Sequence, residues 1–146
     1  MELHRFFPYR LARLAETVSQ ATAQVYRERY ALTRDEWRVL AALHVLGEAK
    51  TTRVIEHTTL DKMRVSRALS RLEADGLVGR NPDPEDRRGY LVRLLPPGTT
   101  LFRKIVPMVQ AREAFLLEAL DPDERAVVDR ALDKLQARAE QLRKQG

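Results

Sequence analysis

The chain has 146 residues, a length that fits one domain, or one small domain with an oligomerisation arm, and suffices for an independent core. It carries 26 Lys and Arg against 21 Asp and Glu, so a polyanionic partner is favoured, and it has no cysteine, which excludes disulfides, Cys-ligated zinc and thiol-based sensing. The opening MELHRFFPYR lacks the sustained apolar stretch of a signal peptide, and no segment approaches the roughly 20 apolar residues of a membrane span, so a cytoplasmic protein with no membrane partner is expected.

After Pro8, apolar positions at Leu11, Leu14, Val18, Ala21, Val25 and Tyr26 predict one long first helix, ending before Leu32 and Thr33. Thr33, with Glu36 three residues on, reads as a capping box. It opens a second helix bearing Trp37, Leu40, Leu43 and His44 and closed by Gly47. Thr51 or Thr52 caps a short third helix containing Val54 and Ile55. The Thr58-Thr59 turn then leads to Asp61, the expected cap of a fourth helix.

That fourth helix is the most informative stretch. From Lys62 to Arg71 it reads KMRVSRALSR, with four cations and no acid. Val65, Ala68, Leu69 and Leu72 fall on one side at helical spacing, and Met63, Ser66, Arg67, Ser70 and Arg71 on the other. Ordinary surface helices mix both charge signs, so this face is either a solvated basic surface or a surface for a phosphate-lined groove. In a DNA groove Arg takes guanine edges or phosphates, and Ser permits close approach. Helix, turn and second helix form the unit that such reading requires.

Gly76 marks a left-handed helix end. Leu77, Val78 and Arg80 then predict a strand, and Tyr90 to Leu94 its return partner. Asn81, Pro82, Asp83, Pro84 and Gly89 mark a connection longer than a tight hairpin loop. Arg87 and Arg88 are expected at its tip beside Asp83, Glu85 and Asp86, which reads as a wing. Pro96-Pro97-Gly98 introduces a helix from about Thr99 to Leu120, in which Pro107 predicts a kink near Ile105 to Met108. Asp121-Pro122-Asp123-Glu124 caps a last helix reaching Lys144. On it Val128, Leu132, Leu135, Ala139 and Leu142 recur at the spacing of a helix-helix seam. The stripes on the first and the two last helices find no place inside a small winged module. They can pack within the chain, but a two-fold homodimer would bury them and also set two reading helices about 34 to 36 Å apart, facing an inverted repeat.

Three segments, LTRDEWRVLAAL at 32–43, LDKMRVSRALSRLEADGLVGR at 60–80 and DPEDRRGYLVRL at 83–94, together resemble the MarR-type (multiple antibiotic resistance regulator) winged helix-turn-helix transcription factors. The resemblance implies a mainly α fold with a small two- or three-stranded β wing. It divides the chain into a dimerisation helix at 1–32, a DNA-binding module at 33–95 and dimerisation helices at 96–146. It implies that Lys62, Arg64, Ser66, Arg67, Ser70 and Arg71 face the major groove. Arg88, next to Arg87 at the wing tip, would enter the minor groove, oriented by Asp86. Two positions depart from the family pattern: Leu95 stands where a helix-capping Thr is usual, and Thr59 where the turn often has glycine.

Proteins similar to this one commonly bind small aromatic acids in a cleft between the dimer arms and the reading module. Phe6, Phe7, Tyr9, Arg10, Arg13, Trp37 and His44 are candidates to clamp a ring and its carboxylate, with nicotinate-type acids among the possibilities. Trp37 and Tyr26 fit a core role better than ligand contact, His44 on its apolar face fits a satisfied semi-buried histidine, and Arg10 and Arg13 also fit a solvated role. His4, His44 and His57 lack the paired spacing of a zinc site, so neither metal nor cofactor is expected. No phosphate-cradling glycine loop, nucleophile elbow or HExxH pair occurs, which speaks against an enzyme. The expected function is a ligand-responsive regulator, most simply a repressor. The alternative is a non-specific architectural DNA-binding protein.

Overall fold

The computed structural model describes residues 1–146 as a 3-10 turn at Leu3–Arg5, seven α-helices and three strands. They form two compact units, Met1–Val109 and Gln110–Gly146. No helix is long and apolar enough to cross a membrane.

Helix α1 spans Phe7–Ala23, with Pro8 in its first turn, where a missing N–H costs nothing. The single helix predicted through Tyr26 is interrupted. The amides of Val25 and Tyr26 bond three residues back, to Thr22 and Ala23, and this tighter winding turns the chain into the four-residue α2, Arg27–Tyr30. The turn seats the buried Tyr26 against Trp37. Helix α3, Arg34–Leu46, starts where expected: Thr33 Oγ1 accepts the Glu36 N–H at 3.1 Å. The reciprocal half of the capping box is absent, because the Glu36 carboxylate accepts the Thr33 hydroxyl instead of the Thr33 backbone N–H. Gly47, at φ 69, ends the helix.

A two-residue strand, β1 at Ala49–Lys50, follows; it is too short to leave a periodic signal. Lys50 also occupies the N-cap position of α4, Thr51–Thr58, without a side-chain capping bond, so neither Thr51 nor Thr52 is the cap. Thr59 adopts φ 61, the left-handed conformation that favours glycine. The neighbouring Thr58 hydroxyl braces the turn, donating to the Val54 carbonyl at 2.7 Å and accepting the Leu60 N–H at 3.4 Å. Helix α5, Lys62–Ala74, is capped by Asp61, which accepts the Arg64 N–H at 2.8 Å. Its Val65, Ala68, Leu69 and Leu72 are buried, as the spacing predicts.

The wing differs from expectation. Strands β2, Val78–Asp83, and β3, Asp86–Leu94, extend to a tight turn at Pro84-Glu85, with Asp83 accepting the Glu85 N–H at 2.9 Å. Pro82 pairs with Tyr90, and Asp83 with Asp86, so Arg87, Arg88 and Gly89 are left outside the ladder as a bulge on β3. The two arginines therefore flank the turn instead of forming it. The sheet order is β1-β3-β2, all antiparallel.

Helix α6, Pro96–Leu117, starts three residues ahead of the predicted Thr99, with both prolines in its opening turn. It runs unbroken through Pro107, and the division between the two units falls just beyond, after Val109. Within the first unit, Val39, Leu40, Leu69, Leu72, Val92 and Ile105 are fully buried, joining α3, α5, the sheet and α6 in one core.

In the second unit, α7, Pro122–Gln145, has the complete capping box predicted: Asp121 accepts the Glu124 N–H at 2.8 Å and Glu124 accepts the Asp121 N–H at 3.0 Å. The Glu124 backbone bond, then the Glu124 side chain, hold the Asp121 carboxyl below the ordinary aspartate value. A carboxyl depressed on folding stabilises above its unfolded pKa and ceases to do so as pH falls through the lower, folded value. We expect the Glu124 amide resonance to follow that titration below the ordinary aspartate range, and the step to vanish in Asp121→Ala. A step centred on the ordinary value would count against the cap. Val128, Leu132, Leu135 and Leu142 are all exposed along α7, so its apolar seam is uncovered in the single chain.

Candidate nucleic-acid interface

Every residue singled out on α5 (Lys62, Arg64, Ser66, Arg67, Ser70 and Arg71) lies on its exposed face. The buried stripe fixes that orientation, since turning the helix would lift Leu69 and Leu72 out of the core. The cations are not equivalent. Arg64 is clasped by Asp35 through two hydrogen bonds, Nε to Oδ2 at 3.0 Å and Nη2 to Oδ1 at 2.6 Å. This bond to Asp35 raises the Arg64 pKa further above its already high ordinary value. Arg71 Nε stands 3.6 Å from Glu36 Oε1. Glu36 is buried, 3% exposed, and that oxygen has no hydrogen-bond partner. Arg67, between them, pairs with no carboxylate, and neither does Lys62. A shallow hollow of about 260 Å³ lies between the α3 and α5 starts, lined by Thr33, Asp35, Glu36, Arg64, Arg67 and Arg71 among others.

At the other end of α5, Arg80 of β2 donates to Ser70 Oγ at 3.4 Å. Its Nε stands 3.0 Å from Glu73 Oε2, close enough for an ion pair but without hydrogen-bond alignment. The contact ties the wing root to the helix. At the wing tip, Arg87 and Arg88 are exposed, and Asp86 Oδ1 accepts the Arg88 backbone N–H at 3.0 Å. Asp86 thus shapes the bulge from which Arg88 projects, where a guanidinium contact was expected. Gly89 leaves room for this, because a Cβ there would come 3.2 Å from Asp86 Oδ2. Lys50 lies between Asp83 and Glu85, at 3.5 and 3.6 Å, and offsets the acids of the turn.

The residues considered for a small ligand fall into two groups. Tyr9, Arg10 and Arg13 line an open groove of about 320 Å³ with His4, Leu14 and Thr17. Arg13 lies over the Tyr9 ring, 5.9 Å from its centroid. Phe6 and Phe7 are exposed at the start of α1. Trp37 and His44 do not line that groove. Trp37 stacks between Tyr26 and Phe102, each at 5.4 Å, and Phe102 stacks on His44 at 4.2 Å, a column that joins α3 to α6. Burial of Tyr26 raises its hydroxyl pKa, the effect outweighing nearby arginines. No group of three His, Asp or Glu side chains is arranged to hold a metal ion.

Sequence reasoning missed Asp35, Glu36 and Phe102. Glu36 already had an explanation as a capping-box residue, Asp35 carried no signal of its own, and nothing local connects either to arginines about thirty positions away.

A sequence profile of the MarR family matches residues 32–90. The repressor NicR of Pseudomonas putida is 29% identical over 104 residues, covering 71% of this chain and 66% of NicR. Among solved structures, BpsR of Bordetella bronchiseptica superposes with a TM-score of 0.83 at 27% identity, covering 93% of this chain and 96% of BpsR. DNA binding by BpsR is regulated by 6-hydroxynicotinic acid. PcaV of Streptomyces coelicolor, solved with its natural ligand, superposes at 0.76 with 25% identity, covering 95% of this chain and 97% of PcaV.

Proposed function

We propose that this chain, whose residues 32–90 match the MarR family profile, is a winged helix-turn-helix repressor that binds an inverted-repeat operator as a homodimer and releases it on binding a small aromatic acid. The observation that carries the DNA reading is the exposed face of α5, acid-free from Lys62 to Arg71 and flanked by the Arg87-Arg88 bulge. Residues 33–95 are the reading module in this proposal, and 1–32 and 96–146 the dimerisation arm. Uncovered apolar residues, Leu11 and Leu14 on α1 and Leu132 and Leu135 on α7, support the arm, because a soluble chain rarely leaves such stripes bare. The proposed site of action is the cytoplasm. The fold and its relatives are regulators and not enzymes.

For the effector, the groove at Tyr9, Arg10 and Arg13 offers a ring face beside two guanidinium groups. An aromatic carboxylate fits that chemistry, and the ligand named for BpsR is of that kind. Such a ligand acts only through a difference in affinity between the DNA-competent and released states. A titration at fixed salt tests the reading. A repressor should prefer one inverted-repeat duplex over random sequence by at least about a thousandfold. Equal affinity would favour an architectural DNA-binding protein, and binding insensitive to salt would remove phosphate contact altogether. A thermal-shift screen of aromatic carboxylates should yield a stabiliser that also dissociates the duplex.

A further inference from the structure

Two of the four cations on α5 are already occupied by the first turn of α3. Arg64 gives Asp35 its Nε and Nη2 edge, the same edge that would otherwise grip a phosphate or a guanine. Asp35 is itself partly sheltered, its side chain 28% exposed, so water does not fully screen the pair. Arg71 is held differently, by charge alone, against a buried Glu36 oxygen that no donor reaches. The two pairs bracket Arg67, and the two carboxylates stand beside it in the hollow that a bound duplex would face.

Resting on the DNA-binding reading above, we propose that Asp35 is a positioning residue for DNA selectivity: it withholds Arg64 from phosphates, so that Lys62 and Arg67 do the reading on α5. Phosphate contacts raise affinity for every sequence alike, whereas base contacts discriminate. A clasped Arg64 therefore lowers attraction to random DNA without lowering readout by Arg67. The clasp also joins the starts of α3 and α5, which holds the reading helix at a fixed angle to its support.

The test is the salt dependence of binding to a random-sequence duplex, which requires no knowledge of the operator. Each phosphate contact contributes a slope of about −0.9 to log K against log salt. In Asp35→Asn the released Arg64 should steepen that slope by about 0.9 and tighten random-duplex binding. In Arg64→Gln the slope should match the unmodified protein, because Arg64 touches no phosphate there. The double variant should match Arg64→Gln, since the gain requires Arg64. Two results would overturn the proposal: a flatter slope in Arg64→Gln, meaning that Arg64 already contacts phosphate, or a double variant that keeps the gain, meaning that the charge of Asp35 itself repels DNA. Arg64→Gln decides the matter even if Asp35→Asn misfolds. Unmodified protein with no salt-dependent binding would reject the DNA-binding reading itself, a result distinct from either failure of the clasp.

Discussion

Gly98→Ala is expected to destabilise the protein by about 3 kcal/mol, although the same change in an ordinary helix stabilises by roughly 0.5 to 1 kcal/mol. The reversal of sign comes from one contact. Gly98 lies in the first turn of α6 and is buried against the Leu77 backbone; a Cβ would overlap the Leu77 carbonyl oxygen and stand 3.1 Å from its carbon. That oxygen is not free to retreat, because it accepts the Leu95 N–H at 2.9 Å, the bond that closes the wing where α6 begins. Relief requires either separating α6 from Leu77 or breaking that bond. For a chain of this length, about 3 kcal/mol lowers the melting temperature by on the order of 10 °C. Gly79→Ala is the control: its Cβ would meet only the Leu95 side chain, tightly at Cδ2, 3.0 Å, and in ordinary contact at Cγ, 3.5 Å, which a side-chain rotation can relieve. Equal melting temperatures for the two variants would show that Gly98 serves no packing purpose.

Why Gly98 escaped sequence reasoning illustrates what was legible and what was not. Its proline neighbours read correctly as a helix introduction, but its real constraint is a carbonyl twenty-one positions earlier, visible only once the chain is folded. Features governed by near neighbours came through: the Thr33, Asp61 and Asp121 caps, the Gly47 and Gly76 helix ends, and the buried stripe of α5. Features set by distant partners did not. Strand β1 exists because β3 offers Leu91 and Val92 to two otherwise unremarkable residues. The break after Ala23 places Tyr26 on the aromatic column. The wing turn was misread because a proline in β2 suggested a loop, yet β2 is an edge strand, where proline is tolerated. For the interface the same division holds. Periodicity identified which cations are exposed, but not that two of them are committed to Asp35 and Glu36.

Arg67→Ala is therefore expected to weaken operator binding by about 1 to 3 kcal/mol, or roughly 5- to 150-fold, and to relax base preference at one position in each half-site. Among the arginines of α5 it alone has its whole guanidinium free, and its place between Arg64 and Arg71 puts it at the centre of the exposed face. Arg88→Ala should behave differently. Its backbone is fixed by Asp86 in the bulge next to the wing turn, on a different element from the α5 face, and in the proposed reading it contributes through groove charge. We expect a comparable loss on any A·T-rich duplex and a salt slope shallower by about 1, with preference at the positions read by α5 retained. Selection of preferred sites from a randomised duplex pool, repeated at two salt concentrations, separates the two signatures. Should both variants bind as tightly and as selectively as the unmodified protein, neither α5 nor the wing would be the DNA-reading surface. The exposed basic face would then be solvated charge, and the search for an interface would have to begin elsewhere on the molecule.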